Sequence, residues 1–116
     1  MPSPRSKYYI LVEGQPVPAS LTEWAIWLEA ADSDRIVAKT QVTSYVEVST
    51  VFLGLDHNFV LNDPAPLIYE TMVFGGSLDQ EMDRYPTKEQ AELGHDQWVA
   101  RVREAEGLSP ESTPLH

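Results

Sequence analysis

The sequence predicts an α+β fold: an antiparallel sheet of three to four strands in the order β-α-β-β-β-α, with two helices packed on one face. Three observations carry it. Ser20-Leu21-Thr22-Glu23 is a helix-capping box followed by tryptophans at helical spacing, and Thr87-Lys88-Glu89-Gln90 is a second box followed by another helical apolar stripe. Between them lie two long apolar segments, Val46 to Leu55 and Leu67 to Phe74. No repeat is present, and no alternation of strand and helix signals a parallel sheet.

Tyr8-Tyr9-Ile10-Leu11-Val12 is aromatic and β-branched, which favours a strand. Glu13-Gly14-Gln15 marks a tight turn into Pro16-Val17-Pro18, whose prolines restrict it to an edge, so the expectation is a short, poorly paired return. After the first capping box, Trp24, Trp27, Leu28 and Ala31 share one helical face, which predicts a helix over about 21–31. Asp32-Ser33-Asp34 ends it. Arg35 to Val42 begins a strand that pairs through a short connection with the segment from Val46.

In that segment Val46, Val48, Thr50 and Phe52 lie on one side, and Glu47, Ser49, Val51 and Leu53 on the other. The elbow from Asp56 to Pro66 contains Asn62-Asp63-Pro64-Ala65-Pro66, a loop signature. The chain then returns with Ile68, Glu70, Met72 and Phe74 opposed to Leu67, Tyr69, Thr71 and Val73, which predicts a three-stranded meander. Gly75-Gly76 stops this strand, and Ser77 to Tyr85 reads as an acidic loop. The last helix carries Ala91, His95, Trp98, Val99, Val102 and Ala105 on its apolar face.

A chain of 116 residues fits one domain, which at this size buries roughly two-thirds of the surface its unfolded chain exposes. That domain is expected over 7–106, with Pro- and Ser-rich disordered tails at 1–6 and 107–116. Eighteen acidic against eight basic side chains give a formal charge of −10. Such a surface repels phosphate backbones and anionic lipid, so no direct nucleic-acid binding is expected, and basic partners are favoured. With no cysteine there is no disulfide, thiolate metal site or cysteine nucleophile. Tyr8 to Val12 is too short for the apolar part of a signal peptide, and no run approaches the roughly 18 to 20 apolar residues of a membrane span. The expectation is a cytoplasmic protein without a membrane segment or a cofactor.

Asp56 and His57 follow a strand end and a glycine, and Glu70 falls on the neighbouring strand. With His95, on the apolar face of the last helix, they are the candidate ligand or metal set, because Asp, His and Glu hold metals and move protons. The plainer reading is that Asp56-His57-Asn58 starts a loop, that Glu70 faces water, and that His95 is a hydrogen-bonded core residue. No GxSxG, HExxH or GxGxxG motif is present, and no residue stands out as catalytic. Trp24, Trp27 and Trp98 read as packing residues. The partner-binding candidates are Asp79, Glu81, Asp83, Glu89, Glu92 and Asp96, which span the acidic loop and the outer face of the last helix. They form a solvated surface or a docking site for a basic protein.

The segments Ser49 to His57, Pro66 to Gly76 and Arg84 to His95 resemble a group of small proteins of tailed bacteriophages, prophages and soil bacteria. The resemblance spans roughly residues 7–103 and carries no established activity or binding residue. It implies a small accessory gene product made in a bacterial cell, a setting in which binding to host machinery is common. The leading expectation is therefore a non-enzymatic protein that binds a protein partner, such as a host factor or defence system. A small metal-assisted hydrolase or ligand-binding enzyme using Asp56, His57, Glu70 and His95 is the alternative from another class. A virion component acting as an oligomer is a third, and homodimerisation through a sheet edge is open in each.

Overall fold

A computed structural model describes residues 6–57 and 65–108 of the chain. Its elements are β1 (Tyr8–Val12), β2 (Gln15–Ala19), α1 (Leu21–Ala31), a short 3-10 turn (Asp32–Arg35), β3 (Ile36–Thr43), β4 (Val46–Phe52), β5 (Tyr69–Phe74), β6 (Met82–Tyr85) and α2 (Lys88–Ala105). The fold is α+β and antiparallel throughout, with a two-stranded sheet β1-β2 and a four-stranded sheet β3-β4-β5-β6.

The return after Gly14 is paired along its whole length, from Val12 opposite Gln15 to Tyr8 opposite Ala19. Glu13 and Gly14 both have positive φ, as the tight two-residue hairpin turn with right-handed twist requires. Pro16 and Pro18 are two apart, so both ring nitrogens fall on the same edge. Given the Val12–Gln15 closing pair, that edge faces away from β1, and no ladder bond is lost. The hairpin joins the larger sheet through an isolated bridge between Tyr8 and Leu55, where the Tyr9 amide donates to the Gly54 carbonyl at 2.7 Å. Gly54 is needed there: its φ is +71°, and a Cβ would sit 2.5 Å from the Tyr9 carbonyl oxygen.

The expected acidic loop is only partly a loop. Met82 to Tyr85 forms a fourth strand, with Tyr85 opposite Tyr69 and Met82 opposite Met72. Val73 and Gln80 close the turn before it, since the Gln80 amide donates to the Val73 carbonyl and the Val73 amide to that of Glu81. The charges that mark a loop in the sequence belong here to a short edge strand, where polar side chains reach water and discourage further pairing.

Val46, Val48, Thr50 and Phe52 of β4 and Tyr69, Thr71 and Val73 of β5 line the buried inner face, as the alternation predicts. The second helix lies across this face and touches all four strands of the sheet. The first helix packs mainly on β1, and Trp27 reaches the inner face edge-on to Phe52, with ring centroids 5.5 Å apart. Two apolar clusters result. One holds Tyr9, Phe52, Ile68, Tyr69 and Ala91, and the other Val46, Val48, Val73, Trp98 and Val102. Each fully buried large side chain among these contributes about 1.5–3 kcal/mol of transfer free energy.

The first capping box is complete: the Glu23 amide donates to the Ser20 hydroxyl and the Ser20 amide to the Glu23 carboxylate. At Thr87 the hydroxyl accepts from the Gln90 amide, which is half of the same device. Gly107 and Leu108 return bonds to Glu104 and Arg103 and close α2 with Gly107 at positive φ. Residues 1–5 and 109–116, where most of the expected tails fall, and 58–64 of the elbow lie outside the described residues.

Candidate functional site

The four residues of the metal or acid–base reading do not converge. Asp56 is buried, and its Oδ1 accepts from the Leu67 amide at 3.0 Å, so the carboxylate ties the outgoing chain to the returning one. Glu70 lies on the outer face of β5, opposite Arg84 of β6, and its carboxylate accepts from the Arg84 Nε at 3.0 Å. His57 is half-buried beside them. Burial holds its pKa below the ordinary histidine value, Arg84 and Lys7 push the same way, and Glu70 and Asp56 oppose. His95 is on the other side of the sheet, under α2. Among the described residues, no group of three or more His, Asp or Glu side chains is placed to hold a metal ion.

His95 instead joins a line of buried hydroxyls. Its Nε2 is 2.8 Å from Thr40 Oγ1, and its Nδ1 is 2.7 Å from Thr50 Oγ1, which in turn hydrogen-bonds Thr71 Oγ1. Desolvation holds the His95 pKa below its ordinary value, with nearby Asp96 opposing, so the ring is neutral at pH 7 and one nitrogen donates while the other accepts. Beyond Thr71 stands the Tyr85 hydroxyl, buried and without a hydrogen bond, over Gly94. Sequence reasoning missed these threonines as partners of His95. Their alternation with valine reads simply as strand propensity, and only the docking of α2 brings the imidazole to them.

The acidic candidates separate into two groups. Asp79 accepts from the Gly75 amide within its turn, and Asp83 accepts from the Trp98 indole at 2.8 Å, so both carboxylates are engaged structurally. Glu81, Glu89, Glu92 and Asp96 are exposed. On α2, Glu89, Glu92 and Asp96 surround Leu93, which is 60% exposed, at positions that share one helical face.

A cleft lies below the β1-β2 turn, between the start of β3 and the start of α2. One part, about 160 Å³, has Phe52, Tyr69, Val37 and Leu11 in its walls, with Asp34, Arg35, Lys88 and Glu92 at its margins. It adjoins a second recess of about 160 Å³ against Pro16, Thr87 and Glu89. A third, of about 310 Å³, runs past Trp27 and Glu13. Tyr69 is 2% exposed, yet its hydroxyl makes no hydrogen bond among the described residues. Burial and the nearby Glu89 carboxylate raise its pKa, which keeps it a donor at neutral pH. Nothing in the local sequence joins Arg35, Tyr69 and Lys88; three separate elements bring them together.

No protein-family model matches the chain, and neither a curated protein nor a solved structure does. No helix among the described residues is long and apolar enough to cross a membrane.

Proposed function

We propose that the chain is a small accessory protein that acts by non-enzymatic contact with a basic protein partner, through the outward face of α2. One observation carries this reading: Leu93, exposed and apolar, is framed by the carboxylates of Glu89, Glu92 and Asp96. An apolar anchor ringed by charge of one sign suits a partner surface with a small apolar recess and a basic rim. The net charge of −10 extends the same preference to long range and disfavours nucleic acid. The resemblance to phage and prophage proteins supports a bacterial cytoplasmic setting, with a host factor or defence component as partner. Affinity capture from a bacterial lysate at low and high salt tests the reading. A partner held at low salt, released at high salt and lost on Glu92→Lys with Asp96→Lys is expected. Capture indifferent to both salt and charge reversal would sink the idea.

A second reading, an oligomeric structural component such as a virion protein, is favoured by the outer face of the larger sheet. No described element covers it, and Ile36, Phe74 and Met82 are 43%, 46% and 38% exposed on its strands. Light scattering across a concentration series separates the two, since a monomer at all concentrations leaves only the first.

A further inference from the structure

We propose that the cleft beneath the β1-β2 turn is a binding site for a small apolar zwitterion, an α-amino acid with an aliphatic or aromatic side chain. The fold turns several hydrogen-bond donors toward this cleft. Tyr69 is almost wholly buried, lines two of the three adjoining recesses, and its hydroxyl has no hydrogen-bond partner among the described residues. Its oxygen is not among the sealed, unsatisfied ones, so it reaches the opening of the recess and is available to a ligand that accepts from it.

Arg35 and Lys88 line the same recess, and neither makes an ion pair among the described residues although acids outnumber bases eighteen to eight; the Arg35 Nε donates to the Phe52 carbonyl at 3.3 Å, which leaves its terminal nitrogens for a ligand. The amides of Lys88 and Glu89 open α2 and have no intrahelical acceptor, since Thr87 caps Gln90 and Ala91. Together these groups match one carboxylate. Asp34 and Glu92 stand at the margin of the same recess and would repel a simple anion. They become favourable once the ligand carries an ammonium beside its carboxylate. Arg35 and Lys88 stand with Asp34 and Glu92 in this recess, and Glu89 lies beside Tyr69 in the adjoining one, so the cleft presents both signs of charge, which suits a molecule bearing one of each.

Phe52, Val37 and Leu11 supply the apolar wall. The recess volume of about 160 Å³ is close to the roughly 150 Å³ apolar cavity known to accept benzene, so it holds a leucine-sized side chain. The larger neighbouring recess past Trp27 leaves room for a longer one. A peptide terminus carries only one of the two charges, and so fits less well than the free amino acid.

The test is titration of the isotope-labelled full chain, followed by amide shifts, with L-leucine, with isocaproate, which lacks the ammonium, and with isoamylamine, which lacks the carboxylate. Saturable shifts at Asp34 to Val37 and at Lys88 and Glu89 are expected with leucine, and about tenfold or weaker binding with either analogue. Tyr69→Phe should weaken leucine about fivefold and Lys88→Gln about tenfold. Lys88 is exposed, so its variant keeps the test valid if the tyrosine variant folds poorly. The proposal is overturned if leucine causes no saturable shift up to about 10 mM. It is equally overturned if a singly charged analogue binds as well, or if both variants bind leucine unchanged.

Discussion

Tyr69 and Tyr85 face each other across β5 and β6 on the inner side of the sheet, and neither hydroxyl has a hydrogen-bond partner among the described residues. Their surroundings differ. Tyr85 is sealed beneath α2, so close to the helix that a Cβ on Gly94 would lie 2.3 Å from its ring and oxygen. Tyr69 lines a cleft that the β1-β2 turn only partly roofs. An unsatisfied group with no access to solvent is a cost of packing, whereas the same group at an opening is available to a ligand. The sealed region, with its line from Thr40 through His95 and Thr50 to Thr71, belongs to stability. The open region is where binding chemistry has room.

The sharpest way to break this contrast is at His95. Truncation in His95→Ala leaves the Thr40 and Thr50 hydroxyls without their partner and opens a void, so a loss of about 3 kcal/mol is expected in urea unfolding. The same variant alters the pH response. Because burial lowers the folded-state pKa of His95 below the ordinary histidine value of 6.5, the unfolded chain binds the proton more readily. The stability contributed by the neutral ring is therefore complete above about pH 6.5 and declines as pH falls toward the folded pKa. His57 shifts in the same direction, so its variant is the companion control. Thermal melts should show a shallower acid-side decline in His95→Ala than in the parent chain; an unchanged slope would assign the effect elsewhere.

Next in size is Gly94→Ala. Overpacking against Tyr85 should cost about 2 kcal/mol, and combining it with Tyr85→Ala should recover part of that loss, because the two sites share one space. Additive losses would show that the close approach is not the cause.

A smaller effect separates the tyrosines themselves. Tyr85→Phe removes a buried hydroxyl without a partner and should leave stability unchanged or raise it by up to about 1 kcal/mol. Tyr69→Phe should stay within about 0.5 kcal/mol of the parent chain, because its hydroxyl contributes no internal bond. Chemical denaturation of the pair reads both. A loss above about 1 kcal/mol in Tyr69→Phe would reveal an internal role and erase the distinction.

Much of the framework is legible in local pattern. Ser20 to Glu23 announces α1 because a capping box is complete within four residues, and Val46 to Phe52 shows its buried face by strict alternation. The strand at Met82 to Tyr85 is hidden, since it is short, charged and held in place by pairing with β5 rather than by its own propensity. The β1-β2 pairing is masked by two prolines whose shared edge becomes apparent only in register. Among the candidate residues, the exposure of Glu89, Glu92 and Asp96 follows from helix periodicity. The engagement of Asp83 by Trp98, and of His95 by Thr40 and Thr50, with Thr71 bonded in turn to Thr50, does not.

The sequence by itself determined the class of the fold, the two helices, the inner face of the central strands and the strong negative charge, because each rests on neighbours in the chain or on composition alone. Tertiary structure decided which polar groups find partners. It placed His95 among hydroxyls and away from Asp56, His57 and Glu70, and it brought Arg35, Tyr69 and Lys88 to one cleft. The physical reason is range: hydrogen bonds and charge pairs act over a few ångströms, and residues 19 to 55 positions apart reach that distance only after the helix docks and the strands pair.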